Sequence, residues 1–170
     1  MVKNSDLLTL NSDAEDKSLY LLLVHEYAKE LAEIEHDTPG NEFELNVMYI
    51  DFLNTDNIEC YKLINNNGDF AGFVLLENLK ADTTAPFDCF IMESYVEPNS
   101  RKQGLLQNKL KDYISKKNIN SFGYVVLKHN YNADGYWKKF FSENGFLVER
   151  NNKAFPPKFK GYKCYIAKKN

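Results

Sequence analysis

VEPNSRKQGLLQNKL, residues 96 to 110, is the stretch that decides the fold. A β-rich run ends at Val96, and Pro98 stops it because proline has no N–H to donate to a strand ladder. A short basic loop with Arg101 and Lys102 follows, and from Leu105 to Ile114 the pattern is that of an amphipathic helix with Lys109, Lys111 and Lys116 toward water. The first turn of a helix leaves its amides without partners, and the helix dipole adds positive potential there, so a strand-to-helix junction attracts an anion such as pyrophosphate. Gly104 removes a side chain that would hold such an anion away from the backbone. These features define an anion site without naming the anion.

Upstream of this junction, IECYKLI (58–64) and FAGFVLLEN (70–78) are two β-rich runs around NNNGD, whose Asn-Gly pair favours a hairpin turn. A further strand runs from Cys89 to Val96. Downstream, Gly123 to Lys128 reads as a strand, Gly135 to Glu143 as a helix ended by Asn144-Gly145, and Phe146 to Arg150 and Tyr162 to Ala167 as strands either side of a bend at Pro156-Pro157. Toward the N-terminus, Ser12 with Glu15 forms a capping box for a helix reaching about His36, its apolar stripe made of Leu19, Leu22, Leu23, Ala28, Leu31 and Ala32. Thr38-Pro39-Gly40 breaks it. Pro39 then suits the start of a second helix over Glu42 to Leu53, with Phe43, Val47, Ile50 and Leu53 at spacings of three and four. Residues 1–11 lack periodicity and are expected to be a flexible arm. No repeat or linker divides 12–170, which is expected to be a single domain.

Taken together, Arg101-Lys102-Gln103-Gly104 after a strand and a proline resembles the cofactor signature of the GNAT superfamily of N-acetyltransferases. That signature is Arg or Gln, two residues, Gly, one residue, then Gly or Ala. Leu106 departs from it at the last, normally small, position. The resemblance covers about 58 to 167, through the hairpin, the strand at 123–128 and FFSENGF at 140–146. It implies an α+β (α/β layered) fold with a mixed, mostly antiparallel central sheet and helices on both faces. It also implies acetyl-CoA as co-substrate, with the pyrophosphate at Arg101, Lys102, Gln103, Gly104, Leu105 and Leu106. The pantetheine arm is then expected to pair with the backbone of the preceding strand at Tyr95 and Val96, with Asn130 or Asn132 holding the pantetheine or adenosine end. A dinucleotide-binding fold is disfavoured, since its G-x-G-x-x-G triplet is absent and a hairpin precedes the loop.

Acetyl transfer to an amine needs a base for the amine, a donor for the thioester carbonyl and an acid for the departing thiolate. The resemblance points to Glu93 as the base, and strand alternation puts Glu93 and Tyr95 on one face with Met92, Ser94 and Val96 on the other. The side chain of Tyr95 is expected to pack. The family's usual thiolate acid is a Tyr four residues before the helix-ending Gly; Gly145 places Phe141 there, which leaves Tyr136 or solvent to supply the proton. The expected activity is an acetyl-CoA-dependent N-acetyltransferase acting on a primary amine by direct attack. Leu106 and Phe141 motivate the alternative, a non-catalytic acyl-CoA-binding or partner-binding module on the same fold.

Composition narrows the partners. With 170 residues, 44% of them hydrophobic, the chain can bury one sizeable core. The mean hydropathy is -0.50 and Leu19 to Val24 is far shorter than the roughly 20 residues of a membrane span, so no membrane partner is expected. Asp6, Asp13, Glu15 and Asp16 lie where a signal peptide would be apolar, which makes the cytoplasm the expected location. Cys60, Cys89 and Cys164 lie apart in apolar segments and read as reduced core residues, and neither His25 nor His36 has metal-ligand spacing, so no metal is expected. The net charge of -3 hides an asymmetry: between Asp13 and Glu59 the only basic residues besides histidine are Lys17 and Lys29, whereas after Arg101 the only acids are Asp112, Asp134, Glu143 and Glu149. The resemblance implies that the N-terminal helices and the hairpin wall the acceptor pocket, and because that region is the acidic half, a cationic acceptor is expected, either a small molecule or a peptide amine. The pI near 5.7 and the lack of a recognised motif argue against nucleic acid. Both a monomer and a homodimer fit the composition.

Overall fold

The computed structural model describes residues 6–37 and 40–170. Its elements are β1 (Leu7–Leu8), α1 (Ala14–Glu35), α2 (Glu42–Phe52), β2 (Ile58–Ile64), β3 (Phe70–Asn78), β4 (Cys89–Val96), α3 (Leu105–Lys117), β5 (Ser121–Val126), α4 (Tyr131–Glu143), β6 (Phe146–Arg150) and β7 (Lys163–Lys169). Among the described residues the seven strands form one sheet in the order β1-β2-β3-β4-β5-β7-β6. It is mixed: β4 and β5 are parallel, whereas β1–β2, β5–β7 and β6–β7 are antiparallel. The expected α+β architecture with four helices is therefore present. Contacts divide the chain into two compact units, Met1–Leu76 with Glu93–Leu110, and Glu77–Met92 with Lys111–Asn170.

In the first unit, α1 is capped by Asp13, not Ser12. The Asp13 carboxylate accepts from Asp16 N at 2.8 Å, while the Ser12 hydroxyl is taken by Thr9 N at 3.0 Å in the turn before the helix. Order also starts earlier than expected: Leu7 and Leu8 pair with Tyr61 and Cys60, and burial of Leu8 against the core outweighs the lack of periodicity around it. Residues 1–5 of the expected arm lie outside the described residues, as does Pro39. The cap of α2 is Asn41, whose side chain accepts from Phe43 N and Glu44 N. Both helical stripes are rotated from their expected phase. Leu22 is 58% exposed and Phe43 74%, because tyrosines take the inner faces: Tyr20 and Tyr49 pack edge-on against Phe73 with centroids 5.3 and 6.2 Å away. An aromatic ring buries more apolar area than leucine, so a stripe drawn through the aliphatic residues alone misses the face that wins. Lys62, at 5% exposure, is neutralised by Asp16 at 2.6 Å from α1.

The second unit is built on β5, with β7 inserted between β5 and β6. One face of β5 packs on α4: Tyr124 stacks on Phe141 at 5.2 Å and 22°, and Phe122 contacts the same ring at 5.3 Å. The other face carries Gly123, where any Cβ would overlap the Phe87 ring. This glycine lets Phe87 reach the strand and join Phe155, Cys164 and Ile166 in a second apolar cluster. Several boundaries shift for local reasons. β5 starts at Ser121 because the Asp88 carboxylate accepts from Asn120 N and Ser121 N, fixing the strand's entry. α4 starts at Tyr131, before Gly135, because Asn130 caps it by accepting from Ala133 N at 3.1 Å.

Candidate active site

The loop after β4 has the form that its residues imply. Pro98–Ser100 make one 3-10 turn, closed by Arg101 N to Pro98 O at 3.3 Å. Lys102 and Gly104 then adopt φ of 67° and 75°, and the first bond of α3 runs from Asn108 N to Gly104 O at 2.9 Å. The amides of Leu105, Leu106 and Gln107 therefore precede any intrahelical partner, the arrangement that binds anions at helix starts. Gly104 is required by its backbone conformation more than by crowding, since a Cβ there would meet only the Asn108 side chain, at 3.6 Å.

The loop is braced from both sides. Gln103 Oε1 accepts from Asn66 N at 3.0 Å, and buried Ser100 accepts from Asn65 Nδ2 at 3.2 Å while donating to Glu97 at 2.7 Å, so the β2–β3 turn holds the loop's shape. Arg101 folds back: its Nε donates to Val96 O at 2.8 Å, its terminal nitrogen to the Glu30 carboxylate, and its guanidinium lies 5.8 Å from the Tyr95 ring centroid. Lys102 is exposed, with no hydrogen bond or ion pair among the described residues. Arg101 and Gln103 thus shape the loop, whereas Lys102 and the amides at the start of α3 are not committed to it. This donor set of amides and one ammonium suits a diphosphate.

Glu93 and Tyr95 share a face of β4, as strand alternation implies. Tyr27 on α1 meets both, donating its phenol to the Glu93 carboxylate and placing its ring 5.7 Å from that of Tyr95. Burial pushes the Glu93 carboxyl up to about 7, opposed by the Tyr27 hydrogen bond. Tyr27 itself is raised well above the ordinary phenol range, by burial first and by the Glu93 charge next, so it stays a proton donor in this pair. Sequence reasoning missed Tyr27. The available signal was its spacing of two helical turns from Tyr20, which puts both tyrosines on one face of α1. It also missed Gly72 on β3, where a Cβ would overlap the Tyr95 carbonyl oxygen; glycine permits that close backbone approach at the end of β4.

The remaining candidates lie in the second unit. Tyr136 packs beside Trp137 and Phe140, at 5.0 and 6.4 Å, and its buried hydroxyl has no hydrogen-bond partner among the described residues. Burial raises it above the ordinary phenol range. Phe141, at 0% exposure, belongs wholly to the core. Asn130 spends its side-chain oxygen on the helix cap, and Asn132 is exposed on the first turn of α4. Among the described residues, no group of three His, Cys, Asp or Glu side chains is close enough to hold a metal ion. No helix there is long and apolar enough to cross a membrane.

No family model and no curated protein matches this sequence. Solved structures do, over nearly the full chain, and the fold they share with it is that of the GNAT acetyltransferases. An acetyltransferase from Thermus thermophilus superposes with a TM-score of 0.65 at 16% identity, covering 95% of this chain and 94% of its own. A GNAT-family acetyltransferase from Staphylococcus aureus gives 0.63 at 17%, covering 96% and 99%. The spermidine N-acetyltransferase of Vibrio cholerae, solved with CoA and spermine, gives 0.59 at 14%, covering 97% of both chains. At such identities the likeness carries the fold.

Proposed function

We propose that the chain is an acetyl-CoA-dependent N-acetyltransferase that transfers the acetyl group directly to a primary amine, with Glu93 as general base. The observation that carries this reading is Glu93 itself: a carboxyl on the strand leading into the amide-lined loop, held by Tyr27 and lifted by burial to about 7. Such a group is partly ionised at neutral pH and binds a proton more strongly than an ordinary carboxylate, which suits removal of a proton from an alkylammonium. In the reaction, the amine nitrogen bonds to the thioester carbonyl carbon and the carbon–sulfur bond breaks. Glu93 takes one proton from the alkylammonium, directly or through water, to give the neutral nucleophile; after attack the nitrogen releases its second proton to solvent, and the thiolate takes one from solvent, since the Tyr136 hydroxyl is buried. The amides from Leu105 to Gln107, with Lys102 beside them, would hold the co-substrate's diphosphate, and the backbone at Tyr95 and Val96 its pantetheine arm.

The acceptor we infer is a cationic amine. The acids that dominate from Asp13 to Glu59 would concentrate such a molecule, and two of the fold neighbours are described as spermidine N-acetyltransferases. Cys60, Cys89 and Cys164 are buried thiols, the state that a reducing cytoplasm maintains. The test is calorimetry with acetyl-CoA, then free-thiol release across spermidine, an aminoglycoside and a lysine peptide at low and high salt. Saturable binding with turnover is expected, with an acceptor KM that rises with salt. Absence of acetyl-CoA binding overturns the proposal, binding without turnover on any amine indicates a non-catalytic acyl-CoA-binding module, and a salt-independent KM removes the cationic acceptor.

A further inference from the structure

Within the second unit, the cluster of Phe87, Phe155, Cys164 and Ile166 is overlain by two half-buried rings, Phe90 and Phe159. Their centroids are 5.7 Å apart and their planes are inclined at 62°, so they form two walls of a corner. Together they line a groove of about 320 Å³, the size of a small ligand site, between the β3–β4 and β6–β7 connections. The same lining holds the carboxylates of Glu77 and Asp82. Hydrogen bonds from the Thr84 hydroxyl and amide keep Asp82 below the ordinary carboxylate range, so it is ionised at neutral pH. One cation is already there. Lys158, also a lining residue, places its ammonium 5.1 Å from the Phe159 centroid.

Aromatic faces carry the negative part of the ring quadrupole, and carboxylates at the rim add full negative charge. A wall built this way favours a cation with an apolar body over an anion or a plain hydrocarbon, and the chain's own ammonium against Phe159 shows that the ring accepts one. We propose that this groove is a binding site for a small organic ammonium ion, with Phe90 and Phe159 as its walls, Asp82 as its counter-charge and Lys158 as the internal group that the ligand displaces. The proposal requires neither acetyl-CoA nor Glu93.

The test compares choline with 3,3-dimethylbutan-1-ol, its uncharged carbon isostere, by calorimetry and by NMR of the phenylalanine rings in the full chain. Choline is expected to saturate the groove about tenfold more tightly than the isostere, the scale of one desolvated cation–π contact, with the largest shifts at Phe90 and Phe159. Asp82→Asn should weaken choline severalfold. Lys158→Gln, at an exposed position, should tighten it by removing the competing ammonium. Equal affinity for both compounds, no saturation at millimolar choline, shifts centred elsewhere, or weaker binding in Lys158→Gln would each overturn the proposal. Loss of acetyl-CoA binding in the same protein would not touch it, so failure of this site and failure of the transferase reading are distinguishable.

Discussion

Replacing Tyr27 by phenylalanine removes the hydroxyl bonded to Glu93 while keeping the ring that packs on Tyr95. The carboxyl then loses the interaction that favours its charged form, and burial is left to act alone. A hydrogen bond to a charged group contributes roughly 1.5–3 kcal/mol against about 0.5–1.5 for a neutral one, and a difference of about 1.4 kcal/mol is one pKa unit. The Glu93 midpoint should therefore rise by about one unit, from about 7 to about 8. Glutamate-labelled protein allows a direct assay: the carboxyl carbon of Glu93, assigned by its loss in Glu93→Gln, is followed through a pH titration of both proteins. Where turnover is measurable, the acidic limb of its pH profile should move up by the same amount, because the base must be ionised to act. A midpoint that stays put or falls in Tyr27→Phe would refute the reasoning, since it would mean that the phenol does not stabilise the carboxylate.

Glu93 also makes stability pH-dependent. With its pKa raised from 4.5 to about 7, the folded chain keeps a proton that the unfolded chain has released across that window, so stability falls as pH rises through it. Glu93→Gln escapes this loss and should gain up to about 3 kcal/mol on the wild type between pH 5 and pH 8 in urea denaturation, whereas a constant difference would exclude the effect. Gly104→Ala should fold but lose about 1–2 kcal/mol to its φ of 75°, and Gly104→Trp should in addition abolish CoA binding by calorimetry; unchanged affinity would place the ligand elsewhere. Phe141→Tyr installs the tyrosine expected there from the GNAT resemblance, yet its hydroxyl would enter a fully buried aromatic core. A loss of about 1–3 kcal/mol with no gain in rate is expected, and a faster variant of wild-type stability would contradict this account of the core.

Much of the candidate site was legible because it depends on local rules. Alternation along β4 put Glu93 and Tyr95 on one face, and Tyr27 meets both there. Pro98, the basic loop and Gly104 marked a strand-to-helix junction, which the chain forms with α3 beginning at Leu105. The strand bounds Ile58–Ile64, Phe70–Asn78 and Cys89–Val96 were all readable as β-rich runs between turn residues.

What the sequence determined by itself was this order of elements and the chemistry available at each turn. Tertiary structure alone decided which groups meet. Tyr27 and Glu93 lie far apart in the chain and come together when α1 packs on β4; Arg101, expected at the anion site, pairs with Glu30 of the same helix. Ser12 yielded its cap to Asp13, and the inner face of α1 went to Tyr20, because competing partners and buried aromatic area are properties of the assembled core. The physical reason is one of range. Turn conformation, capping and alternation act over a few residues and are written in neighbouring letters, whereas burial, and the pKa that burial sets on Glu93, is summed over atoms that only folding brings within reach.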